Sequence, residues 1–208
     1  GEIELRLRDA PQGFRLSGAR IPAGRDSVRL TLGAPRDRLY SPVTIRLEGQ
    51  ARVGEAVVCH PAVPADDMMQ AFAYRHLVPA DELLLVASRF GRQALPLDLA
   101  ESAPVRMAAG GTARVVLRAP WRFAPRNVRL ELSEPPPGIT LQESAPGPGG
   151  YTLTLAAAAN APVGYADNLI VEAFSEQSAA GPEGRPGARS RRTSLGVLPA
   201  IPLEVVSR

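Results

Sequence analysis

RLRDAPQGFRL, residues 6–16, returns 125 positions later as ELSEPPPGITL, residues 131–141. In both segments apolar residues alternate with Glu and Arg up to a Pro-x-Gly, which is the pattern of a half-buried β-strand. Proline fixes φ and removes a hydrogen-bond donor, and glycine lets the chain turn, so the strand should end there. The matched pairs are Leu7 and Leu132, Asp9 and Glu134, Pro11 and Pro136, Gly13 and Gly138, Phe14 and Ile139, and Leu16 and Leu141.

Three further blocks repeat in the same order. VRLTL (28–32) corresponds to YTLTL (151–155), IRLE (45–48) to LIVE (169–172), and VPADELLLV (78–86) to LPAIPLEVV (198–206). Their separations stay between 120 and 125 residues. A period of this length indicates two whole domains rather than a solenoid of short units.

The repeat predicts one domain over residues 1–90, with an insertion at 54–77, and a second over 94–208. The second copy has about two extra leading strands, ALPLDLAES (94–102) and PVRMAAGGTARVVLRAP (104–120), joined by a Gly-Gly turn. Its total is near the seven strands of an immunoglobulin-like sandwich. The predicted fold is therefore all-β, with two tandem immunoglobulin-like β-sandwich domains, the first lacking its two leading strands.

A sheet without its edge partner exposes backbone donors and acceptors that can pair with another chain. We therefore expect the first domain to be completed by intermolecular strand pairing or by the 54–77 insertion, or to remain an abbreviated sheet. The chain opens directly in strand-like alternation, so we also expect its natural start to lie upstream.

The composition excludes several classes of protein. Hydrophobic residues make up 45% of the 208, as in a globular protein, and no apolar run approaches the roughly 20 residues of a membrane helix. All 24 basic residues are arginines, dispersed among 21 acids with few aromatics, so no nucleic-acid partner and no membrane insertion are predicted. Cys59 is the only cysteine, so no intramolecular disulfide can form.

The two insertions differ in character. Residues 175–194 are rich in Gly, Pro, Ser and Arg, which predicts a mobile, solvated loop; its arginines 185, 189, 191 and 192 are an alternative phosphate or acidic-surface contact. In the first insertion, Pro64-Ala65-Asp66 predicts the cap of a helical turn that begins near Asp67. A strand over MQAFAY is the alternative.

The one cluster of candidate ligands or nucleophiles is Cys59, His60 and His76, with Asp66 and Asp67 nearby. Since a structural zinc site needs four N or S ligands, we favour a buried Cys59 and locally hydrogen-bonded histidines. No catalytic, cofactor-binding or metal-binding residue is predicted, and the chain is expected not to be an enzyme. A three-ligand metal site or a Cys59/His76 nucleophile pair is the alternative.

Three aromatic residues are candidate binding residues: Trp121, Phe123 and Tyr165. An exposed aromatic platform of this kind could bind a sugar ring. For Trp121, the only tryptophan, we favour the other interpretation, in which it closes the end of the sandwich core.

The second copy resembles the tandem immunoglobulin-like accessory domains of large exported bacterial proteins, plentiful in planctomycetes. It is similar to the domain found beside carbohydrate-binding modules and α-galactosidases. The resemblance covers the second copy and, in the first, residues 2–50 and 78–88. Its motifs are turn and strand signals, carried by Gly110, Gly111, Pro136, Gly138, Ala161, Pro162, Gly164 and Tyr165.

This resemblance implies a non-catalytic spacer or interaction module that lies outside the cytoplasm. The partners it implies are other domains of a parent protein and a protein or glycan ligand, and no catalytic residues or cofactors carry over. A carbohydrate-binding module that uses the exposed aromatics is the alternative, and a metal- or cysteine-dependent enzyme centred on Cys59, His60 and His76 is a third.

Overall fold

The computed structural model describes residues 1–35, 41–86, 96–120, 128–147, 149–177 and 191–207. These residues form eighteen β-strands and no helix, so the all-β prediction is confirmed. The strands are β1 Ile3–Arg8, β2 Arg15–Ser17, β3 Arg20–Ile21, β4 Thr31–Gly33, β5 Val43–Val53, β6 Ala56–Pro61, β7 Ala65–Gln70, β8 Tyr74–Pro79, β9 Leu83–Leu85, β10 Asp98–Leu99, β11 Val105–Ala108, β12 Thr112–Arg118, β13 Val128–Ser133, β14 Ile139–Gly147, β15 Gly150–Ala157, β16 Ala166–Gln177, β17 Arg191–Val197 and β18 Ile201–Val206.

The chain divides into two compact units. Unit 1 comprises Gly1–Val28 and Leu32–Gly91, and unit 2 comprises Arg29–Thr31 and Arg92–Arg208. The short segment Arg29–Thr31 is held in unit 2 by hydrogen bonds: the Asn168 side-chain amide donates to the Arg29 carbonyl at 2.8 Å, and the Ala200 amide donates to the Thr31 hydroxyl at 2.8 Å.

Unit 2 has two sheets that share one core. One sheet has the order β10-β12-β15-β14, and the other has the order β11-β18-β16-β13 with β17 also paired to β16. Buried and partly buried residues alternate along β15 and β18, because alternate side chains of a strand point to opposite faces. The largest fully buried side chains are Met107, Leu117, Leu153, Leu155, Leu169, Val171, Leu198, Ile201, Leu203 and Val205.

Unit 1 has one larger sheet and two separate strand pairs. The larger sheet has the order β3-β1-β5-β6, with β9 also paired to β5, while β2 pairs with β4 and β7 pairs with β8. Among its described apolar residues, Phe14 and Ile45 alone are buried, at 9% and 2% exposure. The apolar area that unit 1 removes from water is therefore small.

The repeated segment, residues 6–16 and 131–141, has the same turn conformation in both copies. Asp9 and Glu134 both have positive φ, 51° and 44°, and four residues later Gly13 and Gly138 have φ of 92° and 79°. Positive φ is strained for residues with a Cβ and free for glycine, which explains the glycine in each turn. In both copies the residue after the turn glycine forms a hydrogen bond with the turn proline. The Phe14 amide donates to the Pro11 carbonyl at 3.5 Å, and the Ile139 amide donates to the Pro136 carbonyl at 3.1 Å.

The strand pairings recur with the repeat. The pairs β1–β5, β2–β4, β5–β6 and β5–β9 of unit 1 have counterparts in β13–β16, β14–β15, β16–β17 and β16–β18 of unit 2. Register agrees as well: Leu7 lies opposite Leu47, and Leu132 lies opposite Val171. These are the same repeat positions, 125 and 124 residues apart.

The last repeated block is aligned differently from the sequence expectation. Leu85 lies opposite Val43, and Leu203 lies opposite Asp167, which is the counterpart of Val43. Leu85 therefore corresponds to Leu203, 118 residues on rather than 120. A shift of two residues preserves the strand face, which is why the apolar pattern could not reveal it.

The helical turn expected near Asp67 is wrong, because β7 and β8 form an antiparallel hairpin there. Met68 lies opposite His76, and the Arg75 guanidinium donates to the Asp67 carboxylate at 2.8 Å. Cross-strand pairs of this kind stabilise a hairpin and have no equivalent in a helix at this spacing.

The loop prediction for residues 175–194 is wrong at both ends of that range, which belong to strands. β16 continues through Gln177 and β17 begins at Arg191, while residues 178–190 lie outside the described ones. Arg192, expected at a solvated loop tip, stacks 3.6 Å from the Phe174 ring centroid and pairs with Glu131. These contacts hold the base of the segment in the sheet.

Candidate functional site

The β7–β8 hairpin stands apart from the rest of unit 1. Every residue of both strands is exposed, and among the described residues the two strands pair with each other and with no third strand. At the base of the hairpin the Ala80 amide donates to the Pro64 carbonyl at 2.8 Å. Two strands without a packed face are marginally stable in water.

Both faces of the hairpin carry apolar side chains. One face presents Met69 and Leu77, and the other presents Met68, Tyr74 and Val78. Leu77 is 71% exposed and Tyr74 is 74% exposed. Soluble proteins rarely leave so many large apolar side chains together in water unless they contact a partner.

The tip of the hairpin is strained. Ala71 and Phe72 have φ of 51° and 60°, and the turn is closed by the Ala73 amide, which donates to the Gln70 carbonyl at 3.1 Å. Left-handed backbone costs an L-residue about 1–2 kcal/mol, and it is an outlier for a side chain as bulky as phenylalanine. Phe72 is nevertheless 98% exposed. Because this strained turn displays the Phe72 ring to solvent, Phe72 is a candidate contact residue.

The Cys59, His60 and His76 cluster of the sequence is not assembled. Cys59 and His60 lie on β6, opposite Gln50 and Gly49, whereas His76 lies on the hairpin. Among the described residues no group of three or more His, Cys, Asp or Glu side chains is placed to hold a metal ion. Cys59 is exposed, so the expectation that it is buried is wrong. β6 is an outer strand of its sheet, and its residues have little packed against them.

No family model, no curated protein and no solved structure matches the chain. Among the described residues no helix is long and apolar enough to cross a membrane.

Tyr165 is the only one of the three predicted aromatic residues that the structure describes; Trp121 and Phe123 lie outside the described residues. The Tyr165 ring is half-buried against the core of unit 2, and its hydroxyl donates to the Asp167 carboxylate at 2.8 Å. Its main chain is bonded at both ends of the turn, to Pro162 and to Val205. This placement suits a structural contact at the start of β16.

The contact surface on the hairpin was not predictable from the sequence pattern. No apolar alternation indicated it, because each face mixes polar and apolar residues: Asp66, Met68 and Gln70 share one face of β7, and Tyr74, His76 and Val78 share the same face of β8. The adjacent Met68-Met69 pair places one methionine on each face.

Proposed function

We propose that the chain is a non-catalytic interaction module of a larger exported protein, and that the β7–β8 hairpin is the surface by which it contacts a partner protein. The observation that carries this proposal is the hairpin itself: two strands in which every residue is exposed, with methionine, leucine, tyrosine and valine side chains distributed over its two faces. Methionine and aromatic residues are enriched at protein interfaces. The location outside the cytoplasm rests on the family resemblance.

The module we propose is a pair of tandem immunoglobulin-like domains. In support, the sheet orders of unit 2 correspond to strands A-B-E-D and A′-G-F-C of an immunoglobulin sandwich, with β10 as A, β11 as A′ and β12 as B. The parallel pairing of β11 with β18 agrees with this assignment. In unit 1 the recurring pairings assign β1, β2, β4, β5 and β9 as C, D, E, F and G.

The placement of the reactive residues supports a non-catalytic role. The three side chains that could act as metal ligands or nucleophile and base, Cys59, His60 and His76, are divided between β6 and the hairpin. The hairpin has an ion pair, Asp67 with Arg75, and exposed pairs of this kind contribute little to folding stability.

Site-specific photocrosslinking tests the proposal. A photoreactive phenylalanine analogue is placed at position 72 and, as a control, at position 163, where Val163 is exposed on unit 2. In cells that produce the protein we expect crosslinks to a discrete polypeptide from position 72 and none from position 163. An excess of unlabelled chain should compete, whereas the chain with Phe72→Ser and Met69→Ser should not.

Crosslinks of equal yield from both positions, or none from position 72, would refute the hairpin as the contact surface. Binding of the chain to a glycan array that is unchanged by the hairpin substitutions would favour the carbohydrate-binding alternative.

A further inference from the structure

The segment Arg29–Thr31 lies early in the sequence but belongs to unit 2, and we call it the strap. The chain enters unit 2 at Arg29 and returns to unit 1 at Leu32, long before the rest of unit 2 begins at Arg92. Three groups of the strap form hydrogen bonds in unit 2: the Arg29 guanidinium, the Arg29 carbonyl and the Thr31 hydroxyl. Unit 2 is therefore built from two separate parts of the chain.

The Arg29 side chain binds the turn that follows β13. Its guanidinium donates to the Ser133 carbonyl and, at 2.9 Å, to the Glu134 carbonyl, and it pairs with the Glu134 carboxylate at 3.2 Å. Glu134 has a φ of 44°, and left-handed backbone is unfavourable for a residue with a Cβ. The two hydrogen bonds to main-chain carbonyls therefore stabilise a turn conformation that is otherwise strained.

The other two hydrogen bonds of the strap satisfy buried donors. The Asn168 side chain, which is 5% exposed, donates to the Arg29 carbonyl at 2.8 Å. The amide of Ala200, a residue with 0% exposure, donates to the Thr31 hydroxyl at 2.8 Å. A buried donor that loses its acceptor carries the full cost of its desolvation. Removal of the strap from folded unit 2 is therefore unfavourable.

The strap is too short to stay bound by itself. Ordering three residues and a long arginine side chain costs conformational free energy comparable to the net gain from a few hydrogen bonds. The chain beyond the strap supplies this order: Thr31 begins β4, which continues through Gly33 in unit 1 and pairs with β2. The strap should therefore remain bound to unit 2 only while unit 1 is folded.

We propose that the strap couples the two units thermodynamically. When unit 1 loses its structure, the strap leaves unit 2, and the Asn168 side chain and the Ala200 amide lose the hydrogen bonds that the strap accepts. Because a coupling free energy acts in both directions, the same contacts stabilise unit 1 for as long as unit 2 is folded. This coupling does not require a partner at the β7–β8 hairpin.

Hydrogen exchange of the full chain tests the coupling, with the Ala200 amide as the probe of the strap. Ile45→Val truncates a buried side chain of unit 1 and should speed exchange of the β5 amides by about fivefold. The Ala200 amide should exchange faster by the same factor, while the Leu203 amide of β18 exchanges as before. An unchanged Ala200 amide would overturn the inference, because the strap would then open independently of unit 1.

The reverse direction is tested at Thr31. Thr31→Val keeps the shape of the side chain but removes the hydroxyl that accepts from Ala200, so both the Ala200 amide and the β5 amides should exchange about fivefold faster. Thr31→Ser keeps the hydroxyl and should leave both sets of amides as slow as in the unaltered chain. A response to Thr31→Val confined to Ala200, or no response, would refute the coupling.

Two arginine substitutions separate the strap from a general effect of charge. Arg29→Ala should speed exchange of the Ala200 amide and of the β5 amides, because it removes the guanidinium bonds to the turn after β13. Arg20 forms an exposed pair with Glu2 at 3.4 Å, so Arg20→Ala removes the same charge and should leave the Ala200 amide unchanged. Equal effects of the two substitutions would overturn the inference.

Discussion

The two units use the same strand pairings but bury very different amounts of apolar surface. Strands β15, β16 and β18 of unit 2 are lined by fully buried leucines and valines. Of their described counterparts in unit 1, Ile45 is buried, whereas Leu32, Leu47 and Leu83 are half-buried or exposed. The counterpart pairs are Leu5 and Leu130, Leu32 and Leu155, Leu47 and Val171, and Leu83 and Ile201. Unit 2 differs by having β10, β11 and β12 to cover those side chains.

This difference shows that a strand pattern and a core are separate properties of a sequence. The alternation of apolar and polar residues sets which face of a strand is apolar, and both units have it. Burial then depends on whether a second layer lies over that face. Among the described residues, unit 1 has the pattern without the full second layer, so its apolar faces are less buried than those of unit 2.

The largest expected contrast is between Leu155→Ala and Leu32→Ala. Leu155 is fully buried in unit 2, so its truncation should lower the free energy of unfolding of that unit by about 2–5 kcal/mol. Leu32, at the same repeat position, is half-buried and should cost about 1 kcal/mol or less. Denaturant unfolding followed by hydrogen exchange in each unit measures both, and equal losses would remove the proposed difference in packing.

Substitution of the two turn glycines should lower the stability of unit 1 more than that of unit 2, which is the reverse of the order expected for the two leucines. Both Gly13→Ala and Gly138→Ala place a Cβ on backbone with positive φ, which costs about 1 kcal/mol. At Gly13 the new Cβ would also lie 2.7 Å from the Pro35 Cβ, whereas at Gly138 the nearest atom, the Ala158 Cβ, is 3.4 Å away. Gly13→Ala should therefore destabilise unit 1 more than Gly138→Ala destabilises unit 2. The midpoints of denaturant unfolding measure both effects, and the opposite order would contradict this prediction.

Alkaline pH should affect unit 2 through Tyr151. Burial in the core raises the pKa of its phenol above the ordinary value near 10. Because the folded protein then holds the proton more tightly than the unfolded chain, this stabilisation is present below pH 10 and is lost as pH rises through the folded pKa. Tyr151→Phe should flatten the fall in stability of unit 2 at high pH, and Tyr74→Phe, on the exposed hairpin, should leave it unchanged.

The smallest contrast concerns one surface position of the repeat, Arg6 and its counterpart Glu131. Arg6 pairs with Glu4 at 2.8 Å, where its hydrogen bond and charge lower the pKa of the Glu4 carboxyl, but both groups are solvated. Arg6→Gln should leave the unfolding midpoint at pH 7 unchanged. Glu131 pairs with both Arg129 and Arg192, so Glu131→Gln should cost about 0.5 kcal/mol. A larger effect at Arg6 than at Glu131 would contradict this order.

Local pattern predicted much of the fold. The strand before Pro11, the turn at Gly13, their second occurrence at Pro136 and Gly138, and the all-β class could all be read from alternation and turn chemistry. These features depend on sterics and periodicity within a few residues, and both are visible in a sequence.

What could not be predicted depends on distant contacts. The stretch around Met68, Met69 and Phe72 fits one side of a helical turn as well as it fits a hairpin, and only the pairing with β8 decides between them. The exposure of Cys59 likewise depends on whether anything covers β6. Of the candidate aromatic residues, Tyr165 is packed on a core that the sequence could not outline, and the sugar-binding role of Trp121 and Phe123 stays a prediction.

Hydrogen exchange of the chain compares β9 of unit 1 with its counterpart β18 of unit 2. Unit 1 repeats the pairings of unit 2, but among the described residues β9 pairs with β5 alone, whereas β18 pairs with both β16 and β11. We predict that the amides of Leu83–Leu85 exchange at least about a hundredfold faster than those of Leu203 and Val205 in the counterpart strand, since edge strands open locally. Equal protection of the two strands would contradict the account.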